Sequence, residues 1–142
     1  MAAAGAAVRG RAVARWGLAI VYLAVGTLHL AAPGALLAIT PGWVPFPRAV
    51  VLATGLCEFA GAAGLLTRRL RRAAGIALAL YAVCVFPANI KHALDGGLGD
   101  HRLGDLGPWY HVPRLALQPV LVWWALFAGE LVRWPFGRAL PP

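Results

Sequence analysis

Four apolar stretches separated by short polar connectors dominate the pattern of this chain. A membrane-spanning helix needs about 20 largely apolar residues, with a range of about 17–25. Four segments meet this requirement, at residues 16–32, 49–66, 73–90 and 115–132. The sequence therefore predicts an all-α integral membrane protein, built as an antiparallel bundle of four transmembrane helices.

The connectors set the boundaries of this domain. Pro33-Gly34 interrupts the first stretch, and the segment ALLAI after it is predicted to be an interfacial turn or part of a broken helix. The link TRRLRR is short enough for a tight antiparallel helix pair. Residues 1–15 are predicted to be a flexible leader, residues 16–134 the transmembrane domain and residues 135–142 a short tail.

Composition supports a membrane protein and argues against a nucleic-acid-binding role. Hydrophobic residues make up 61% of the 142 residues and charged residues only 13%, about half the share found in soluble domains. The net charge is +8, but the arginines lie at the edges of apolar stretches and not on a polar face interleaved with aromatic residues. The two cysteines form no CxxC motif and are interpreted as small hydrophobic residues.

The distribution of arginine and lysine predicts the orientation, because cytoplasmic loops carry an excess of both. With the N-terminus inside, nine basic residues fall on the inner side: Arg9, Arg11, Arg15, Arg68, Arg69, Arg71, Arg72, Arg133 and Arg138. Four fall on the outer side: Arg48, Lys91, Arg102 and Arg114. We therefore expect a multi-pass plasma-membrane protein with both termini in the cytoplasm. The first stretch is long and its cleavage signal is poor, so it is expected to be retained as an anchor.

Polar side chains within the apolar stretches mark candidate sites, because a charged group there costs about 2.5–3.5 kcal/mol on insertion scales. At a helical rise of about 1.5 Å per residue, His29 lies roughly 20 Å above the inner edge and Glu58 roughly 13 Å below the outer edge. The candidate ligand-binding set is His29, Glu58, Asn89, Lys91, His92, Arg114 and Gln118. A bundle closing on these faces is predicted to form an outward-facing polar pocket with an apolar floor.

The deeper candidates also have structural interpretations. His29 can bond to a carbonyl of a neighbouring helix. Glu58 can be the ion-pair partner of His29, Arg114 or Lys91. Lys91 can otherwise be an interfacial residue whose ammonium group reaches the polar headgroups. These interpretations stay open beside the ligand-binding one.

The candidates at the outer ends have similar alternatives. Asn89 can cap the third helix after a break at Pro87, and His92 can be an ordinary interfacial residue. Gln118 can satisfy backbone groups that the adjacent Pro119 leaves without a partner. Each of these roles would hold the bundle together without binding a ligand.

The motifs GTLHLAAP, TGLCEFAGAAGLLTRRLRRAAG, FPANIKHAL and VPRLALQPVLVWW follow one another along residues 16–133. In this order they resemble the DoxX-like family of small four-helix membrane proteins. The matching positions are Glu58, Pro87-Ala88-Asn89, Arg114 and Gln118, with His29 as a further match. Ala116 departs from the family pattern, since LALQP stands where a Pro-Leu-Gln sequence is expected.

The resemblance implies an antiparallel four-helix bundle in the plasma membrane. Some family members are membrane subunits of quinol-oxidising or thiosulfate-oxidising complexes, and others belong to oxidoreductase complexes of oxidative-stress defence. Many members have no assigned activity, and a distantly similar eukaryotic group acts in receptor assembly. This chain is accordingly expected to be an accessory subunit of a quinone-linked or stress-related membrane oxidoreductase complex, with a redox protein as its partner.

The residues suit quinone chemistry without a tightly held redox centre. His29, Asn89 or Gln118 can donate a hydrogen bond to a quinone carbonyl, and Glu58 or His29 can accept a proton. The sequence contains neither GxGxxG nor the haem-attachment motif CxxCH, and a metal-ligand set is not predicted. Quinone, not covalently bound, is the candidate cofactor. Catalysis by this chain alone is not expected, and no catalytic residue is assigned.

Two non-redox alternatives are kept. The chain can be a non-enzymatic scaffold or assembly factor, or it can bind a lipid or small amphiphile in the same pocket. A transporter or proton path is disfavoured because the polar groups stop in the outer half. The lipid bilayer is a predicted partner, and association into a homo-oligomer is left open.

Overall fold

A computed structural model describes residues 2–96 and 107–133, and this part of the chain is helical without any strand. Its helices are α1 (Ala2–Ala31), α2 (Pro33–Ile39), α3 (Pro47–Leu66), α4 (Arg71–Gly96), α5 (Pro108–Ala116) and α6 (Gln118–Ala128). The predicted all-α class is confirmed. The predicted C-terminal tail, residues 135–142, lies outside the described residues.

Proline residues open three of the described helices, α2, α3 and α5. Ala32 leaves the helical conformation, with φ −135° and ψ 55°, and Pro33 then opens α2. The interruption predicted at Pro33-Gly34 is therefore a broken helix. Pro47 opens α3 after Phe46, which has a left-handed φ of 47°. Proline suits the first helical turn because an amide hydrogen at that position has no helical acceptor.

Two helices extend beyond their predicted bounds. α1 begins at Ala2, so the described part of the predicted leader is helical and continuous with the first apolar stretch. α4 continues through Pro87 to Gly96, so the predicted break at Pro87 and the predicted helix cap at Asn89 are wrong. A single proline removes one helical hydrogen bond, and side-chain contacts with α5 and α6 hold the residues beyond it.

The predicted fourth span forms two helices instead of one. α5 ends at Ala116, and α6 has 11 residues. Pro119 interrupts the hydrogen-bond pattern because it has no amide hydrogen. Even so, the Leu117 amide donates to the Pro113 carbonyl at 2.8 Å and the Leu117 carbonyl accepts from the Leu121 amide at 2.9 Å. Residues 108–128 therefore form a nearly continuous helical rod, roughly 30 Å long.

Three helical segments of the described chain are long and apolar enough to cross a membrane: Ala7–Ala31, Pro47–Leu66 and Arg71–Asp95. Large apolar side chains on these segments face outward. Ile20, Leu56 and Leu80 are 61%, 60% and 61% exposed. Outer surfaces of this kind suit lipid better than water.

Helices α1, α3, α4 and α6 pack as an antiparallel ring in which each contacts the next and α6 closes against α1. Their shared core includes Leu18, Tyr22, Leu65, Leu78 and Ala125. Small residues bring the backbones close, as is usual where helices meet in membranes. A Cβ atom at Gly75 would lie 2.7 Å from the Gly129 Cα atom, so α4 and α6 touch backbone to backbone.

An arginine clamp, defined as Arg11, Arg15, Arg71 and Glu130, closes one end of the ring. Arg15 and Arg71 donate to the same Glu130 oxygen at 2.8 and 2.9 Å. Arg15 also bonds to the Ala128 carbonyl at 3.2 Å, and Arg11 bonds to the backbone just beyond α6. The clamp therefore ties α1 and α4 to the end of α6, and it places the start of α1 and the start of α4 at the same end of the bundle.

Candidate functional site

A buried carboxylate lies between α1, α3 and α4. Glu58 is 1% exposed. The Tyr81 hydroxyl donates to Glu58 Oε1 at 2.7 Å, and His29 Nδ1 lies 3.1 Å from Glu58 Oε2. We call His29, Glu58 and Tyr81 the carboxylate site. Glu58 thus pairs with His29, one of its three predicted partners, and not with Arg114 or Lys91.

Glycine residues make the approach of His29 to Glu58 possible. A Cβ atom at Gly55 would lie 2.7 Å from the His29 Cβ atom, and one at Gly26 would lie 3.1 Å from the Gly55 carbonyl oxygen. Because side chains are absent at both positions, α1 and α3 come close enough for the imidazole to reach the carboxylate. The sequence places Tyr22, Gly26 and His29 on one face of α1, and Tyr22 and His29 are both buried.

The two oxygens of Glu58 have different surroundings. Oε1 accepts from Tyr81, whereas the neighbour of the buried Oε2 is His29 Nδ1. His29 Nδ1 contacts the Val25 carbonyl at 2.9 Å as well, and a carbonyl can only accept, so Nδ1 carries a hydrogen directed mainly at Val25. The backbone carbonyl that His29 bonds to is therefore on its own helix and not, as predicted, on a neighbouring one, while the same N–H lies within reach of Glu58.

A second polar cluster lies where α4 meets α5 and α6. Asn89 Nδ2 donates to Gln118 Oε1 at 3.1 Å, and Arg114 Nη2 donates to Asn89 Oδ1 at 2.8 Å. Arg114 Nη1 also lies 2.5 Å from His92 Nδ1. We call Asn89, His92, Arg114 and Gln118 the amide site. Its side chains cross-link the part of α4 that follows Pro87.

Gln118 bonds to a backbone carbonyl other than the one predicted. Its Nε2 group donates to the Ala82 carbonyl on α4, so the predicted repair of the backbone beside Pro119 is wrong. Gln118 is 7% exposed, and both ends of its amide are bonded. An amide that joins a helix carbonyl to Asn89 fixes α6 against α4, because leaving either buried group unbonded would be costly.

Aromatic rings surround the Arg114 guanidinium. Its Cζ atom lies 5.7 Å from the centre of the Tyr110 ring, a distance that allows a cation–π contact. The His92 and His111 rings meet edge to face with centres 4.7 Å apart, and His111 is 1% exposed. Tyr110 and His111 are not among the site residues predicted from the sequence. The i, i+3 spacing of His111 and Arg114 along one helix was the available signal.

Lys91 stands apart from both clusters. Its ammonium group bonds to the Ala38 carbonyl at 3.3 Å and to the Asp95 carboxylate. The seven candidates therefore divide into two separate clusters and one surface residue. His29 and Glu58 belong to the carboxylate site, and the other four form the amide site.

Two surface cavities lie elsewhere on the described bundle. One, of about 490 Å³, lies against Leu37 and Leu52. The other, of about 510 Å³, runs between α3 and α4 and is lined by residues that include Gly64, Leu70, Ala73, Cys57 and Cys84. We call it the α3–α4 groove. Tyr81 is the one member of the two polar clusters that lines it.

Tyr81 is a residue of this region that the sequence pattern does not predict. A tyrosine within an apolar stretch has the same sequence pattern as an ordinary packed aromatic residue. In the structure its hydroxyl connects the groove wall to Glu58. Tyr81 is therefore a groove-lining residue whose hydroxyl is bonded to a buried carboxylate.

Replacing Asn89 with leucine is expected to destabilise the bundle by about 2 kcal/mol, because Arg114 and Gln118 each lose a buried partner. Lys91→Gln is the matched control on the same helix, and it is expected to cost at most about 1 kcal/mol because its contacts are exposed. Thermal unfolding of both variants in detergent micelles measures the difference. Equal losses would mean that the amide site is no more important to the fold than a surface ion pair.

Comparison with known proteins assigns the chain to a family without adding an activity. Neither a curated protein nor a solved structure matches it. One family model matches residues 18–129, which include both polar clusters and the α3–α4 groove. The chain therefore belongs to the family described as a domain of unknown function, DUF8561.

Proposed function

We propose that the protein is an integral membrane accessory subunit of a quinone-linked oxidoreductase complex, and that quinol meets it at the Tyr81 end of the α3–α4 groove. The observation that carries this proposal is a buried carboxylate, 1% exposed, connected by a 2.7 Å hydrogen bond to a tyrosine that lines an apolar groove. The resemblance to the DoxX-like family points in the same direction.

The bundle is proposed to cross the membrane four times. The lengths and apolar outer surfaces of α1, α3 and α4 support three crossings, and the α5–α6 rod supplies the fourth at roughly 30 Å. The arginine clamp gathers basic residues from α1 and α4 at one bundle end. By the positive-inside rule this end faces the cytoplasm, so both termini lie there in a plasma-membrane protein.

The apolar lining of the groove supports quinol as the ligand. Glycine, alanine and leucine residues offer an apolar surface for the ring and the isoprenoid tail. The Tyr81 hydroxyl already donates to Glu58, and a hydroxyl can accept a second hydrogen bond from a quinol hydroxyl. A ligand held this way has one polar anchor and otherwise apolar surroundings, as lipid-soluble cofactors require.

In this proposal the carboxylate site transfers a proton, and the electrons take another route. Tyr81 would hold the quinol through its hydroxyl oxygen and would relay one proton to Glu58, and His29 would stabilise the resulting charge. Oxidation of one quinol releases two protons and two electrons. One proton would take this route, and the second proton and both electrons would pass to an acceptor in the partner redox protein, which this proposal requires.

A second candidate function is that of a scaffold or assembly factor without a ligand. It is favoured by the amide site, whose side chains bond to one another and cross-link three helices. In this case the carboxylate site is a second cross-link. Quinol binding separates the two functions, because a scaffold requires none.

Binding of a short-chain quinol analogue to the protein in lipid nanodiscs tests the proposal. Tyr81→Phe is expected to weaken binding about 10- to 100-fold, since a hydrogen bond linked to a charged group is worth about 1.5–3 kcal/mol. Tyr22→Phe is the matched control. Tyr22 is buried next to Tyr81, with ring centres 6.0 Å apart, and its hydroxyl bonds to the Leu78 carbonyl on α4 instead.

The control is expected to bind the analogue within about twofold of the unmodified protein, because it retains the Tyr81–Glu58 bond. Unmodified protein that binds no analogue, or Tyr81→Phe that binds it normally, would contradict the proposal. Glu58→Gln in the complex purified from native membranes adds a functional measurement. The complex should assemble and yet oxidise quinol more slowly.

A further inference from the structure

We propose that the other end of the α3–α4 groove, at the turn between the two helices, is a binding site for one anionic phospholipid. The phosphate group lies against the arginines of the turn, and one acyl chain lies in the adjoining part of the groove. This site does not depend on the proposed quinol function, because it uses the end of the groove away from Tyr81.

The arginines of the turn divide into two groups. Arg71 points into the bundle, where it bonds to the Leu65 carbonyl at 3.3 Å and to Glu130 at 2.9 Å. Arg68, Arg69 and Arg72 are exposed, and within the described residues no hydrogen bond or ion pair involves their side chains. Three guanidinium groups within five residues, without a carboxylate among them, form a concentrated positive charge.

The groove begins at the same turn. Leu70 and Ala73 line it and lie next in sequence to Arg69 and Arg72. The apolar surface continues from there along α3 and α4, past Gly64 and Ala77. A basic rim followed by an apolar channel complements an amphiphile with an anionic head. This continuity distinguishes the turn from the other exposed arginines at the same bundle end.

Specific lipid binding differs from the general positive-inside effect in what it requires. Orientation in the membrane depends on the number of arginines near the span ends. A lipid site depends on which arginines adjoin the groove and on whether the groove is open. Basic pockets on the cytoplasmic side of membrane helices recognise anionic headgroups in this manner.

The test uses full-length protein in detergent, with native mass spectrometry to count bound lipid. Phosphatidylglycerol and phosphatidylcholine with identical acyl chains are the probes. The unmodified protein is expected to retain one phosphatidylglycerol in preference to phosphatidylcholine. Arg69→Gln/Arg72→Gln is expected to weaken this binding at least tenfold, since each basic residue near an anionic lipid contributes about fivefold.

Two matched controls separate the site from its surroundings. Arg9→Gln/Arg133→Gln removes the same charge from exposed arginines on other segments and should leave binding within about twofold. Ala73→Phe fills the groove beside the turn and should abolish retention. Ala24→Phe, at an exposed α1 position that does not line the groove, should not. Circular dichroism checks that every variant is helical.

Each remaining outcome counts against the site. Equal losses in the two arginine variants would mean that total surface charge attracts the lipid. Normal retention by Ala73→Phe would mean that the turn binds the headgroup or inorganic phosphate without the groove. An unmodified protein that does not prefer phosphatidylglycerol would overturn the proposal outright.

Discussion

Replacing Glu58 with leucine is expected to lower the free energy of unfolding by about 3 kcal/mol, as is typical when one member of a buried polar pair is removed. The loss arises because the Tyr81 hydroxyl and the His29 imidazole remain buried without their carboxylate. Removing all three groups in Glu58→Leu/His29→Leu/Tyr81→Phe is expected to restore most of this stability. Buried ionic groups can often be exchanged for apolar residues at little cost.

Unfolding of the single and triple variants in detergent, followed by circular dichroism, gives the coupling between the three residues. Recovery in the triple variant would indicate that the carboxylate site is not required for the fold and is retained for its chemistry. Loss in the triple variant equal to the sum of the single losses would point instead to a purely structural cluster. A fully stable Glu58→Leu protein would contradict the observed contacts.

Placing a methyl group at Gly75 is expected to destabilise the bundle by about 2–3 kcal/mol, the upper part of the range for overpacking. The added Cβ atom would lie 2.7 Å from the Gly129 Cα atom and 2.9 Å from the Ala125 carbonyl oxygen. Both neighbours are backbone atoms, so they cannot move aside as a flexible side chain could. The helices α4 and α6 must separate instead.

Gly34→Ala is the matched control, because a Cβ atom there meets nothing within 4 Å. In a helix this change is expected to be neutral or to stabilise by up to about 1 kcal/mol, since alanine loses less backbone freedom on folding. Thermal unfolding of both variants under one set of detergent conditions compares them. If the two variants melt at the same temperature, close backbone contact between α4 and α6 is not what holds this interface.

The helical class and the approximate location of the apolar segments could be predicted from the sequence, because each depends on local composition. Helix ends were less predictable. Pro87 suggested a helix break, but the contacts of Asn89 and Gln118 across the bundle keep α4 helical to Gly96. These contacts join residues 29 positions apart, and local propensity does not report them.

Depth along the helices predicted that polar groups would gather, but it did not predict how they would pair. His29 and Glu58 meet because Gly26 and Gly55 allow a close approach. Asn89 and Gln118 meet across a different interface, so one predicted pocket corresponds to two clusters. Depth gives one coordinate, whereas pairing also depends on how each helix is rotated about its axis. Tyr81 can be assigned to the carboxylate site only when the rotation of α4 about its axis is known.

The order of the ring has a consequence for how the protein is made. α3 can pack against α1, and α4 against α3, soon after each leaves the ribosome. Closure must wait for the last helix, because Trp124 bonds to the Ala14 carbonyl and Arg11 to the Val132 carbonyl, 121 positions away. Until then, the polar atoms of the arginine clamp and of Asn89 lack their final partners. The nascent three-helix intermediate is therefore expected to be the species most prone to misassembly.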